Sequence, residues 1–149
     1  GTLSGNWFEQ GTDWYNGTNQ RKYWEGHLSI APHSIDPTLW RIGIGFLDVD
    51  DNNFVILGEQ DPLEIDAKSD PITYELKRYI LNIPATPDKR WWNEPFVEGT
   101  IFGVKIFPEL VGTVMVDLQD DGLLKLEVFL NKTPDEVASF TNKARLYQR

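Results

Sequence analysis

LWRIGIGFLDVDDNNFVILG, residues Leu39 to Gly58, is the stretch that decides the fold. Trp40, Ile42, Ile44 and Phe46 alternate with Arg41, Gly43, Gly45 and Leu47. A period of two is that of a β-strand with one buried face. Phe54 to Leu57 is a second apolar run, and between the two lie Asp48, Asp50, Asp51, Asn52 and Asn53. Asp and Asn tolerate turn conformations and bond their own backbone, so the stretch reads as a β-hairpin.

The same alternation recurs outward from this hairpin. Leu3 to Phe8 reads as a first strand, followed by a polar loop over Gln10 to Asn19 that carries Trp14 and Tyr15. Lys22 to Ala31 alternates with Trp24, Leu28 and Ile30 on one face and Tyr23, Glu25, His27 and Ser29 on the other. Pro32 and Pro37 close it. Pro62 to Lys68 alternates weakly, and Ile72 to Ile83 reads as one strand on its β-branched and aromatic content. A loop framed by Pro84, Pro87 and Pro95 displays Trp91 and Trp92, ahead of a long strand candidate from Phe96 to Phe107. Gly112 to Leu118 and Leu123 to Leu130 flank Asp121-Gly122, a strong hairpin signal. Thr133-Pro134-Asp135-Glu136 carries a capping Thr, a Pro at the first helical position and a Glu three residues after the cap. It predicts one short helix near the C-terminus, and Ala144 to Gln148 reads as a last strand.

The result is roughly eight to ten short strands joined by short connections. We expect an all-β chain, residues 1–149 forming a single domain, folded as one antiparallel up-and-down β-barrel. Closure into a barrel removes exposed edges; a two-sheet sandwich is the other arrangement considered.

Composition narrows the function. The 149 residues are 40% hydrophobic and 25% charged, with a formal net charge of -9, which is the balance of a folded chain with one real core. An acidic chain is a poor partner for phosphate backbones and anionic membranes, so neither nucleic-acid binding nor membrane insertion is expected. Cys is absent, which excludes disulfides and leaves the compartment open. The opening residues lack the basic-then-apolar pattern of a leader, and without an initiator Met they read as a trimmed or mature chain.

Gly5-Asn6-Trp7 on the first strand resembles the Gly-x-Trp signature of the lipocalins and other calycins. The resemblance implies a barrel with Trp7 packed across its closed end and a basic residue from late in the chain, Arg145 or Arg149, lying over it. It also implies a small, partly apolar or planar ligand inside. Trp14, Tyr15, Trp91 and Trp92 are the candidate ligand-binding residues, because aromatic faces in loops suit a ring at a barrel mouth. An enzyme using the barrel as a reaction chamber (a cyclase, isomerase or chromophore lyase) is an alternative. Glu25, His27, Tyr23 and Arg41 are then the candidate catalytic groups, since a Glu and a His two apart on one strand face can act as acid and base. A carbohydrate- or protein-binding module is a third reading.

Asp48, Asp50, Asn52, Phe54 and Glu59 fall at the spacing of an EF-hand loop, but strands rather than helices flank them. The hairpin reading is preferred, and no metal site is assigned. No cofactor-binding motif is present, and no cofactor is expected. Asn16-Gly17-Thr18 and Asn131-Lys132-Thr133 match the glycosylation acceptor pattern.

Overall fold

The computed structural model describes residues 1–12, 23–47, 52–82, 99 and 102–149. Among them are strands β1 (Gly5–Glu9), β2 (His27–Pro32), β3 (Trp40–Ile44), β4 (Asn53–Leu57), β5 (Ile72–Lys77), β6 (Tyr79–Asn82), β7 (Gly103–Ile106), β8 (Gly112–Leu118), β9 (Leu124–Leu130) and β10 (Arg145–Gln148). A single helical turn, α1 (Tyr23–Gly26), precedes β2, and a 3-10 turn spans Pro134–Glu136. Eight strands close into an antiparallel barrel in the order β1-β10-β9-β8-β5-β4-β3-β2. β6 and β7 form a separate two-stranded sheet inserted between β5 and β8. The first and last strands meet through Phe8↔Gln148 and Glu9↔Tyr147. This pairing makes the architecture a barrel, not a sandwich.

The opening hairpin forms as its pattern predicts. Trp40 pairs with Ile56 and Ile42 with Phe54, so the apolar positions of both strands face the same way. The same parity runs around the barrel. Trp7, Leu28, Ile30, Ile42, Ile44, Phe54, Tyr74, Leu76, Val114, Val116, Leu124, Leu126 and Tyr147 belong to one buried cluster. Each fully buried side chain of this size contributes about 1.5–3 kcal/mol. On the outside of β8 and β9, Thr113 and Glu127 are buried as well, because the chain after β9 crosses there. Thr113 Oγ1 donates to the Lys132 carbonyl at 2.8 Å. Thr141 donates its amide and hydroxyl to the two Glu127 carboxylate oxygens at 2.7 and 2.5 Å.

Several segments differ from the sequence reading. Residues 23–26 coil into α1, so Tyr23 and Glu25 are not on a strand with His27. Pro62 to Lys68 is a run of turns, fixed by Asp61 accepting from the Leu63 amide at 2.8 Å and Asp66 from the Lys68 amide at 2.9 Å. Short acidic side chains that bond the backbone two residues on compete with strand pairing. Ile72 to Ile83 is not one strand: the chain leaves the barrel at Arg78, and β6 then pairs only with β7 among the described residues. Of Phe96 to Phe107, the described strand is β7. The C-terminal helix is the 3-10 turn, with Glu136 Oε2 accepting from the Thr133 amide at 2.8 Å as the capping pattern requires.

Trp7 plugs one end of the barrel. Its indole Nε1 donates to the Leu3 carbonyl at 3.0 Å, and the Leu3 amide donates to the Ile65 carbonyl at 3.2 Å. The Arg149 guanidinium lies 4.0 Å from the Trp7 ring and donates to the Thr2 and Ser4 carbonyls, each at 2.5 Å. Gly5 passes beneath it with φ +143°, and a Cβ there would meet Arg149 Nη2 at 3.1 Å. The spacing Gly-x-Trp thus has a local cause: the glycine clears the guanidinium and the indole supports it. Trp7→Ala should cost on the order of 3–5 kcal/mol, the range for large core aromatics, read as a lowered urea midpoint. A loss of only about 0.5 kcal/mol, the size of a surface change, would count against the plug.

Candidate functional site

The end of the barrel opposite Trp7 receives the connections β1–α1, β3–β4, β5–β6, β7–β8 and β9–β10. Parity places two charged side chains there, facing inward. Glu9 is two residues after Trp7 on β1, and Arg145 is two before Tyr147 on β10. Arg145 Nη1 donates to both Glu9 carboxylate oxygens at 3.0 Å. The same guanidinium lies 3.9 Å from the ring of Phe46, which packs on the core just beyond β3. The two charged side chains are 33% and 17% exposed, so the pair sits where solvent meets the apolar interior. Charge-assisted hydrogen bonds of this kind hold a guanidinium in one orientation.

Of the two late arginines, Arg149 takes the place over Trp7, and Arg145 stands at the other end of the barrel. Glu9 did not emerge from the sequence reading. The signal that would have found it is the strand period, which puts a carboxylate two residues past an inward tryptophan. Trp14, Tyr15, Trp91 and Trp92 lie outside the described residues, as do residues 48–51 of the acidic turn. The flanks of that turn are β3 and β4. Among the described residues no group of three or more His, Cys, Asp or Glu is placed to hold a metal ion.

The candidate catalytic residues divide. Glu25 is exposed in α1, and Tyr23 lies in the same turn. His27 and Arg41 face outward from β2 and β3, where they line a shallow groove of about 330 Å³ with Ser29, Gly43, Asn52 and Asn53. Gly43 forms its floor, and a Cβ there would meet Ser29 Oγ at 2.8 Å. Burial lowers the His27 pKa from its ordinary value, and its ring lies 5.5 Å from that of Phe8.

His33 is the more constrained imidazole. It is buried between β2 and β3, with Nδ1 accepting from the Ile35 amide at 3.1 Å and the Asp36 amide at 3.4 Å. The Tyr79 ring stands edge-on at 5.0 Å. Burial first, and the Arg41 charge second, hold its pKa below the ordinary imidazole value against an upward pull from Asp36. An accepting Nδ1 cannot carry a proton without losing both amides.

Comparison with protein-family models, curated proteins and solved structures finds no match to this chain. No helix among the described residues is long and apolar enough to cross a membrane.

The two histidines set an expected pH dependence. Both are depressed in the folded state, so their contribution to stability is complete above the unfolded value of 6.5. It is lost as pH falls through the lower folded values. The urea midpoint should decline as pH falls from about 6.5 toward the carboxylate range, the unfolding free energy dropping by at most ~1.4 kcal/mol per pH unit for each proton taken up. His33→Asn, which keeps an acceptor, should flatten that decline. A midpoint constant across the interval would contradict the assignment.

Proposed function

We propose that the chain is a lipocalin-like binder of small, partly apolar molecules, which enter the barrel at the Glu9–Arg145 end. The observation that carries this reading is the difference between the two ends. One is plugged by Trp7 beneath Arg149; the other presents an inward ion pair and an aromatic ring at the rim of an apolar interior. An eight-stranded barrel is either filled by its own side chains or holds one small ligand, and apolar sites with a few placed polar groups suit such ligands. Gly5 and Trp7 add the family signature, now with its basic partner in place. The connection that leaves β1 at the Glu9–Arg145 end carries Trp14 and Tyr15, which we assign to the mouth. Trp91 and Trp92, between β6 and β7, are assigned to ligand contact on the same reasoning.

One observation favours a second reading, catalysis at the outer wall. The groove on β2, β3 and β4 gathers His27 and Arg41 with Ser29 and Asn53, as base, polarising group and hydrogen-bonding partners. His27→Gln separates the two. Unchanged affinity for the bound molecule places it in the barrel, whereas loss places it in the groove.

Mass spectrometry under native conditions should find a copurifying small molecule, and its displacement should be measurable by titration. Val114 faces inward and is fully buried. Val114→Phe should reduce affinity by about tenfold or more, ~1.4 kcal/mol, while overpacking costs about 1–3 kcal/mol of stability. Unchanged affinity in a variant that still folds would place the ligand outside the barrel.

A further inference from the structure

A second cavity, of about 360 Å³, lies at the Trp7 end of the barrel, between the β2–β3 and β4–β5 connections. Trp40 and Tyr74 wall it, Thr38 stands on one rim, and Glu59, Gln60 and Asp61 stand on the other. Trp40 holds the inward position that pairs with Ile56. It is also the first residue of β3, at the very end of the barrel. Part of its half-buried side chain therefore packs on the core, and part lines the cavity. The walls are fixed before any ligand arrives. The Tyr74 hydroxyl donates to the Gln60 carbonyl at 3.0 Å, and burial, then the Asp61 charge, push its pKa up, so it keeps that proton. Asp61 Oδ1 accepts from the Leu63 amide at 2.8 Å. Across the cavity, the Thr38 hydroxyl donates to Asp36 Oδ1 at 2.6 Å. Gly58 lets the loop lie on the Tyr74 ring, where a Cβ would fall 2.6 Å from Cδ1. Walls held in place lower the ordering cost of binding.

We infer that this cavity binds a neutral pyranose sugar of gluco configuration, stacked on Trp40 and held through its hydroxyls by Glu59, Gln60 and Asp61. A pyranose with equatorial hydroxyls has an apolar face of C–H bonds and a rim of donors and acceptors. The indole matches the face, being broad, flat and apolar. The carboxylates match the rim, because hydroxyls donate to them in charge-assisted bonds. Asp61 keeps Oδ2 for this, since Oδ1 is held by Leu63. The Gln60 amide both donates and accepts, and its backbone carbonyl is already satisfied by Tyr74. The volume falls within the range of small-molecule sites. The lining residues include two carboxylates and no Lys, Arg or His. An acidic sugar would bring a third negative charge to walls with no cation to receive it. The same walls that accept a glucoside therefore reject the matching uronate.

NMR titration with methyl β-D-glucopyranoside and methyl β-D-glucuronide, at about pH 7 where the uronate is ionised, tests this. The assigned Trp40 indole N–H signal should move with the glucoside and saturate at millimolar concentration. The glucuronide should bind at least about tenfold more weakly. Glu59→Ala should weaken the glucoside by about tenfold, the size of a lost hydrogen bond to a charged group. Its side chain is exposed, so the urea midpoint should stay in place. Gln60→Ala should weaken binding in the same direction, and it keeps the idea testable if Glu59→Ala folds poorly. No movement of the Trp40 signal at about 50 mM glucoside, far above the expected millimolar range, overturns the inference. Equal affinity for the two probes overturns the role of the carboxylates. Unchanged affinity in both variants overturns the site. Competition between the glucoside and the molecule that copurifies with the barrel also overturns it, by placing the sugar inside. Each of these failures leaves the barrel-binding reading standing, since that reading rests on the opposite end.

Discussion

The pairing of β1 with β10 is the constraint on which the rest depends. β1 is held by β2 on one side and β10 on the other, and only then does the sheet have an inside. Once closed, the register of each strand is locked, because a slip of one residue would turn its whole apolar set outward. The pairing Glu9↔Tyr147 also fixes the parity of the late arginines. Arg149 falls beside Trp7, and Arg145 falls near Glu9. The plug and the candidate mouth are two results of one register.

The two inward arginines show how position decides chemistry. Arg149 is spent on backbone carbonyls and an indole face, a structural arrangement that seals one end. Arg145 meets a carboxylate and a phenyl ring at the other end. Arginine suits both settings because its planar cation stacks on aromatic faces while donating at its edge. A lysine at either position would keep the charge and lose the stack.

Much of the barrel was legible because its strands are short apolar or alternating runs bounded by turn residues. Trp40 to Ile44 and Leu124 to Val128 keep a period of two, Phe54 to Leu57 and Val114 to Leu118 are compact apolar runs that pair with them, and Asp121-Gly122 marks the turn between β8 and β9. Legibility failed where a second rule overrode the period. Tyr23 to Gly26 continues the alternation of β2 yet coils, and the apolar run across Arg78 carries no mark of the point where the chain leaves the barrel. Asp61 and Asp66 turned a weakly alternating segment into turns through side-chain bonds to backbone amides. At the site, His27 and Arg41 were legible as polar groups, but alternation alone could not say that their face was the outer wall. Glu9 was missed because a single charged residue at a strand end reads as exposed until the strand gains a neighbour on each side.

The Glu9–Arg145 contact joins residues 136 positions apart. The hairpins β3–β4 and β8–β9 close over short spans, whereas this contact carries the loop entropy of nearly the whole chain. Every hairpin of the sheet can exist while β1 and β10 are still apart, but in such a chain the carboxylate and the guanidinium are on opposite edges of an open sheet. The Glu9–Arg145 pair has no partly folded version: it comes into being with the seam, and whatever opens the seam takes it apart.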